Sequence, residues 1–285
     1  MNQAQLSVGQ EVKITWRGQR VVARYLEWST KYNLAIVEYE GKRLYRNIKE
    51  EYIAPASPAS AQQSKFSVAE RFTFMIKFAE MVAKGLSNSL IVAGEGGIGK
   101  SHTVLDALKD ADPKVIKGFS TPKSLYRALF ENSHKTIVFD DCDSVLKHAT
   151  AINILKAALD SKPNREISWL SEQKKADDDL PTSFIFTGQV IFLTNYRLAD
   201  LPQPILSRAL MVDLSMTPTE KIERMRQIDL QTGLTAEQTT EVINFIDSLK
   251  DNVSDLNLRT YLKVCQLVKA DPVGWRKPAE YMLLS

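Results

Sequence analysis

The sequence predicts two parts: a small all-β domain, then an α/β domain with a parallel sheet, closed by a C-terminal group of helices. Three observations predict it. Residues 11–53 alternate apolar and polar side chains with a period of two. From 89 to about 216, short apolar runs alternate with helix-length patterns. Beyond 217 the pattern is helical only. APASPASAQQSK at 54–65 is rich in Ala, Ser and Pro without periodicity and reads as a linker. The expected divisions are residues 1–56 for the β domain, 57–65 for the linker, 66–216 for the α/β core and 217–285 for the helical lid.

In the first domain the strand pattern runs Val12, Ile14 and Trp16, then Val21, Ala23 and Tyr25, then Ala35, Val37 and Tyr39. Arg17-Gly18, Lys31-Tyr32-Asn33 and Glu40-Gly41-Lys42 supply the turns. About five short strands at this spacing imply a small barrel, similar to Tudor-like or SH3-like barrels. That resemblance implies a binding module; a structural or oligomerisation piece is the plainer alternative.

The second domain opens with Ser67-Val68-Ala69-Glu70, a capping box that starts a helix running to about Lys84 before Gly85. The apolar run Leu90-Ile91-Val92-Ala93 leads into GEGGIGKS at 94–101, which reads G-x-x-x-x-G-K-S between a buried strand and a helix. Gly94, Gly96, Gly97 and Gly99 let backbone N–H groups converge on phosphate oxygens, with Glu95, Ile98 and His102 completing the expected contact stretch. Lys100 is placed to reach the β and γ phosphates, and the Ser101 hydroxyl to ligate Mg2+. The positive end of the following helix faces the anion.

Further strands are expected at Val115–Phe119, Thr136–Asp140, Val190–Thr194 and Leu210–Leu214, with helices from Gly99, from Pro122 and near Ala149–Leu159. Thr121-Pro122 and Thr217-Pro218 each read as an N-cap followed by proline at the first helical position. Lid helices should start near Thr217, Thr235 and Asp255.

Thr136-Ile137-Val138-Phe139-Asp140-Asp141 is an apolar strand ending in two carboxylates. The first suits Mg2+; the second suits orientation or deprotonation of an attacking water. Asp143 is a further candidate, whose plainer role is a helix cap. A second buried strand ends at Asn195, an amide suited to the γ-phosphate or the water. Ser207-Arg208 precedes the last strand, and Arg259 opens a lid helix.

Taken together, these positions resemble the AAA+ ATPases. In that resemblance Lys100 and Ser101 match Walker A, and Asp140 and Asp141 match Walker B. Asn195 matches sensor 1, Arg208 the arginine finger, and Arg259 sensor 2. The resemblance implies a P-loop NTPase core that binds ATP with Mg2+, a ring such as a hexamer, and Arg208 acting on the neighbour's nucleotide. Asp141 stands where these proteins usually have Glu. Its side chain is one methylene shorter, so slower hydrolysis is expected. The compact layout is also reminiscent of AAA+ proteins of phages and mobile elements.

Between the helix near Ser161 and the sensor strand lies an insert, Lys162–Gly188. Arg165–Leu170 and Ser183–Thr187 predict a hairpin with its tip at Glu172–Asp179. Its placement is similar to the pre-sensor hairpin of hexameric helicases, which implies DNA as a partner. The tip holds more acids than lysines, which points instead to a solvated loop. Lys117-Gly118-Phe119 is a candidate for a pore segment, with Phe119 as a core residue the alternative. Two functions therefore stay open: a DNA-directed motor or loader, and a protein-remodelling ATPase or adaptor whose barrel recruits a protein client. A third, an NB-ARC-like signalling NTPase, shares the GGIGK wording. It usually has Thr-Thr-Arg where this chain has Thr194-Asn195-Tyr196, and it continues into further domains.

Composition sets the remaining expectations. Residues 1–56 hold nine Lys/Arg against six Asp/Glu and seven of the 24 aromatics, while the other 28 basic and 28 acidic residues cancel. Excess basic charge therefore belongs to the β domain. No apolar run approaches the roughly 20 residues of a membrane span, and the first residues lack an export pattern. Two cysteines and three scattered histidines fit neither a disulfide framework nor a zinc site. A reducing, cytoplasmic setting without membrane contact is expected.

Overall fold

The computed structural model describes residues 11–16, 19–29, 34–39, 41–46, 64–118, 121–169, 180–228 and 230–285. The chain divides into two units, Met1–Gln63 and Ser64–Ser285.

In the first unit, β1 (Glu11–Trp16), β2 (Gln19–Ser29), β3 (Leu34–Tyr39) and β4 (Lys42–Arg46) form an antiparallel meander. Ala23, Tyr25, Ala35 and Val37 are buried, with Tyr39 and Leu44 packed against them. These are the positions that the period-two pattern puts on one side. Tyr39 pairs with Lys42, so Gly41, at φ +73°, takes the left-handed conformation that the tight turn requires. Along the strands Arg24 pairs with Glu38, and Glu38 with Arg43, which sets alternating charges side by side. The expected turns at Arg17-Gly18, Lys31–Asn33 and Glu40, a fifth strand, barrel closure and the linker up to Gln63 lie outside the described residues.

The second unit starts with α1 (Val68–Ala83), whose N-terminus carries the capping box between Ser67 and Glu70. There follow β5 (Ser89–Ala93), α2 (Lys100–Ala107), β6 (Lys114–Lys117), α3 (Pro122–Glu131), β7 (Thr136–Asp140) and α4 (Ala149–Ala158). Next come β8 (Arg165–Ser168), β9 (Ser183–Phe186), β10 (Gln189–Thr194), α5 (Gln203–Leu206) and β11 (Leu210–Asp213). The order β11-β5-β10-β7-β6 makes a five-stranded parallel sheet. Its central strands read as continuous apolar runs because both faces are covered. Ile91, Ile137, Phe139, Val190 and Phe192 pack with α3, α4 and α5 on one face. Leu90, Val92, Val138, Ile191 and Leu193 pack with α1 and α2 on the other. With the glycine-rich loop leaving β5, this is the α/β fold with a parallel sheet core and a helical lid that the sequence predicts.

The lid holds α6 (Pro218–Gln227), α7 (Ala236–Leu249), α8 (Leu258–Ala270) and α9 (Arg276–Leu284), packed about their own core of Ile222, Val242, Ile246, Tyr261 and Val264. Thr217 and Thr235 cap α6 and α7 in capping boxes. The third lid helix starts two residues later than expected, because Asn257 rather than Asp255 is its cap. The lid is tied to the core at Arg71 of α1, which donates to the Ser215 carbonyl (2.6 Å) and pairs with Glu220 at 2.5 Å.

The predicted hairpin exists as β8 and β9, paired from Arg165↔Phe186 to Ser168↔Ser183, and its tip lies outside the described residues. Arg165 is buried and anchors it, donating to the Ala158 and Gly188 carbonyls. Among the described residues no helix is long and apolar enough to cross a membrane.

Candidate functional site: a phosphate loop under a helical lid

Strand register builds the site. β10 lies between β5 and β7, with Thr194 opposite Ala93 and Leu193 opposite Asp140. Asn195, the next residue, therefore emerges between the start of the glycine loop and the two carboxylates that end β7. Because all strands are parallel, their carboxyl ends share this one edge.

Glycine is required at two loop positions. At Gly94 (φ +153°) a Cβ would lie 3.1 Å from the Ile98 side chain and from Leu214. At Gly97 (φ +75°) it would meet Asn257 at 3.0 Å. Backbone amides from Glu95 to Gly99 have no protein acceptor among the described residues, and they lead into the start of α2. A cradle of unpartnered N–H groups at a helix N-terminus suits an anion.

Lys100 is buried and folded back over the loop. Its Nζ donates to the carbonyls of Gly94 (2.7 Å) and Glu95 (2.7 Å) and to Asn195 Oδ1 (3.0 Å). Burial pulls its ammonium down to about 8, against the opposing pull of Asp141, Asp143 and Asp140; Arg259 adds to the lowering. The same Asn195 donates through Nδ2 to Asp141 Oδ1 at 2.7 Å. One amide thus bridges the lysine and the second carboxylate. Asp141 itself adopts φ +57°, a left-handed conformation that Asp tolerates better than most residues.

Ser101 Oγ donates to Asp140 Oδ1 at 2.7 Å, so the two expected metal-holding oxygens converge. Lys117 Nζ stands 3.2 Å from Asp140 Oδ2, placed there by the register Lys117↔Asp140. Arg259 reaches the loop from the lid: its Nη1 lies 3.7 Å from the point where a Gly96 Cβ would stand. Asn257, two residues before it, accepts from the amides of Arg259 and Thr260, and Leu258 N donates to the Gly97 carbonyl at 2.9 Å.

Of the residues singled out in the sequence, Lys100, Ser101, Asp140, Asp141, Asn195 and Arg259 are brought together with the loop. Within the loop, Ile98 is a core residue, Glu95 turns out to pair with Lys221 of α6, and His102 is exposed in the first turn of α2. Asp143 does not cap a helix; its Oδ2 accepts from the Asn195 backbone amide at 3.1 Å. Arg208 is not brought to its own loop. Its carbonyl accepts from Ser89 at the start of β5, while the loop leaves the end of β5, roughly 13 Å away at strand rise. The guanidinium is exposed and donates to the Pro204 carbonyl at 2.7 Å. Lys117, Lys221, Arg224 and Asn257 were missed as site residues. Only Asn257, an Asn just before a helical run, carried a sequence signal, that of an N-cap. Phe119 lies outside the described residues.

No protein-family model matches this chain. It is 26% identical, over 269 residues, to a protein of Enterobacteria phage T4 described as an uncharacterized 36.7 kDa protein in the nrdC-mobD intergenic region. That match spans 85% of this chain and 79% of the phage protein. Among solved structures, the Holliday junction branch migration motor RuvB of Thermotoga maritima aligns at 14% identity with a TM-score of 0.44. The alignment covers 71% of this chain and 61% of RuvB, less than two thirds of that protein's length. A DNA replication initiation factor aligns at 13% identity and a TM-score of 0.43, over 76% of this chain and 68% of that one.

Proposed function

We propose that this chain binds ATP with Mg2+ in the loop 94–101 and hydrolyses it, working as a ring of copies on DNA. One observation carries the reading: six side chains from α2, α8 and the ends of β7 and β10 converge on one glycine loop, two of them acids, three cations or amides and one a hydroxyl. The donor set fits the nucleotide and its metal. Loop amides and Lys100 suit phosphate oxygens, and the Ser101–Asp140 oxygen pair suits a hard, oxygen-preferring cation. Held by Ser101 and Asp140, Mg2+ would supply neutralisation of the charge on the phosphates.

The chain's own residues divide the remaining work. Lys100 exchanges its loop carbonyls for phosphate oxygens. Asn195 orients the attacking water and holds Asp141 through Oδ1, leaving Asp141 Oδ2 to take the proton. Arg259 stabilises charge that develops on the terminal phosphate. Arg208, exposed at the far edge of the sheet, is able to serve only a loop on another copy, which supports a ring. The β8–β9 hairpin beside the sensor strand supports DNA as the substrate. A second reading, a protein client, is favoured by the self-neutralising row Arg24–Glu38–Arg43, which lowers the appeal of that face for phosphates.

The test is nucleotide binding and phosphate release by wild type, Lys100→Ala and Asp141→Asn, with single-stranded DNA, duplex DNA or unfolded protein added. Wild type should bind and turn over ATP, and Lys100→Ala should do neither. Asp141→Asn should bind yet turn over at least about 100-fold more slowly. Absence of triphosphate binding by wild type in Mg2+ refutes the reading. Stimulation by unfolded protein but not DNA selects the second.

A further inference from the structure

Glu95 is the one acid within the loop 94–101, and its main-chain carbonyl accepts from Lys100 Nζ at 2.7 Å. A carboxylate at this point works against the loop. The amides from Glu95 to Gly99 and the Lys100 ammonium suit an anion, and a fixed negative charge beside them repels one. Lys221 of α6 meets that charge: its Nζ pairs with Glu95 Oε2. Other cations near the loop are engaged elsewhere, Lys100 with loop carbonyls and Asn195, and Lys117 with Asp140. Among the described residues, Lys221 is the one cation paired with Glu95.

The lysine is held in place by its surroundings. Its backbone amide donates to the Thr217 carbonyl in the first turn of α6, at 3.0 Å. Its neighbour Glu220 is fixed twice, by the ion pair with Arg71 of α1 and by the capping box with Thr217. The lysine stem lies against Ile98, Met216, Met225 and Leu258, which leaves the Lys221 side chain 12% exposed and its head at the half-exposed Glu95. Lysine commonly buries its stem along apolar surface in this way while the ammonium reaches a polar edge. The pair therefore joins the second residue of the loop to the lid and leaves that edge of the loop without net charge.

We propose that Lys221 is a positioning residue for phosphate binding: it cancels the charge of Glu95 and does not itself touch the triphosphate. This rests on triphosphate binding at 94–101. The test is equilibrium binding of ATP with Mg2+ to wild type, Lys221→Met, Glu95→Gln and the double variant. Methionine keeps an apolar stem, so Lys221→Met removes the charge with little change in packing. It should bind ATP roughly 5- to 10-fold more weakly, the upper end for a partly exposed charge acting on a polyanion. Glu95→Gln should bind more tightly by a similar factor, because Lys221 then adds an uncancelled charge. The double variant should return to wild-type affinity. At about 1 M salt, where screening acts within about 3 Å, the differences should fall below about 2-fold. Equal weakening in all three variants would mean that the pair only ties lid to loop. Weakening in Lys221→Met that Glu95→Gln does not repair would mean direct phosphate contact, and no change in any variant would mean that solvent screens the pair. Each of these overturns the inference. If wild type binds no ATP, the triphosphate reading fails and this inference with it; if wild type binds and the double variant does not recover, only this inference fails. Should Lys221→Met not fold, Lys221→Gln must show the same weakening and the same repair by Glu95→Gln.

Discussion

Replacing Asn257 by alanine tests whether the lid is organised by the same residue that closes over the phosphate loop. Asn257 Oδ1 accepts from the amides of Arg259 (2.9 Å) and Thr260 (3.1 Å), and Nδ2 donates to Asp255 Oδ1 at 2.7 Å. The side chain is only 6% exposed, so water is poorly placed to replace those bonds. Loss of an N-cap costs about 1–2 kcal/mol, with a buried cap near the upper end. In a unit of this size each kcal/mol moves the midpoint by about 2–4 °C, so Asn257→Ala should melt about 2–8 °C lower. Scanning calorimetry without nucleotide reads this directly. ATP affinity should fall as well, because the turn carrying Arg259 and the Leu258–Gly97 hydrogen bond begins at this cap. Asn257→Asp keeps the cap acceptor but replaces the donor to Asp255 by a second carboxylate, so it should recover only part of the melting loss. It places a carboxylate over Gly97, so ATP should bind it weakly still. An unshifted midpoint in Asn257→Ala would refute the capping argument, and tight ATP binding by Asn257→Asp would refute its place over the loop.

Three further outcomes follow from particular contacts. Arg71→Ala strips the partner from Glu220 and the donor from the Ser215 carbonyl; at about 3–5 kcal/mol for a broken buried pair the midpoint should fall by about 10 °C, and a shift below about 3 °C would contradict the pair's role as the lid tie. Arg208→Ala should bind ATP normally and lose turnover by about 1,000-fold, with partial recovery when mixed with Lys100→Ala copies; no recovery in confirmed mixed assemblies argues against action between copies. Cys142 and Cys265 are buried free thiols, the first pushed up to about 11 by burial and the second also raised. At pH 8 a thiol reagent should label them only as the protein unfolds in urea. Their protonated folded forms also make stability decline as pH climbs from about 8.5, where unfolded thiols ionise, toward 11. Rapid labelling of the native protein would contradict this.

Much of the site was legible in the sequence because its chemistry is local. Glycine spacing in 94–99, the lysine and hydroxyl that follow, and the apolar runs ending at Asp140 and Asn195 each depend on a few adjacent residues. Backbone conformation and strand burial constrain such stretches directly. The caps at Ser67, Thr121, Thr217 and Thr235 were readable for the same reason, since a helix start needs a side-chain acceptor within three residues. Partners across the fold were a different matter. Lys117 meets Asp140 through the register of two parallel strands, and Lys221 and Arg224 reach the loop because the apolar face of α6 docks on α1 and the core. Arg208 stands at the opposite edge of the sheet because the polarity of β11 sends it there. Nothing near these residues in the chain encodes such meetings. Burial of apolar surface fixes the packing between distant elements, and only that packing selects which charges end up facing one another.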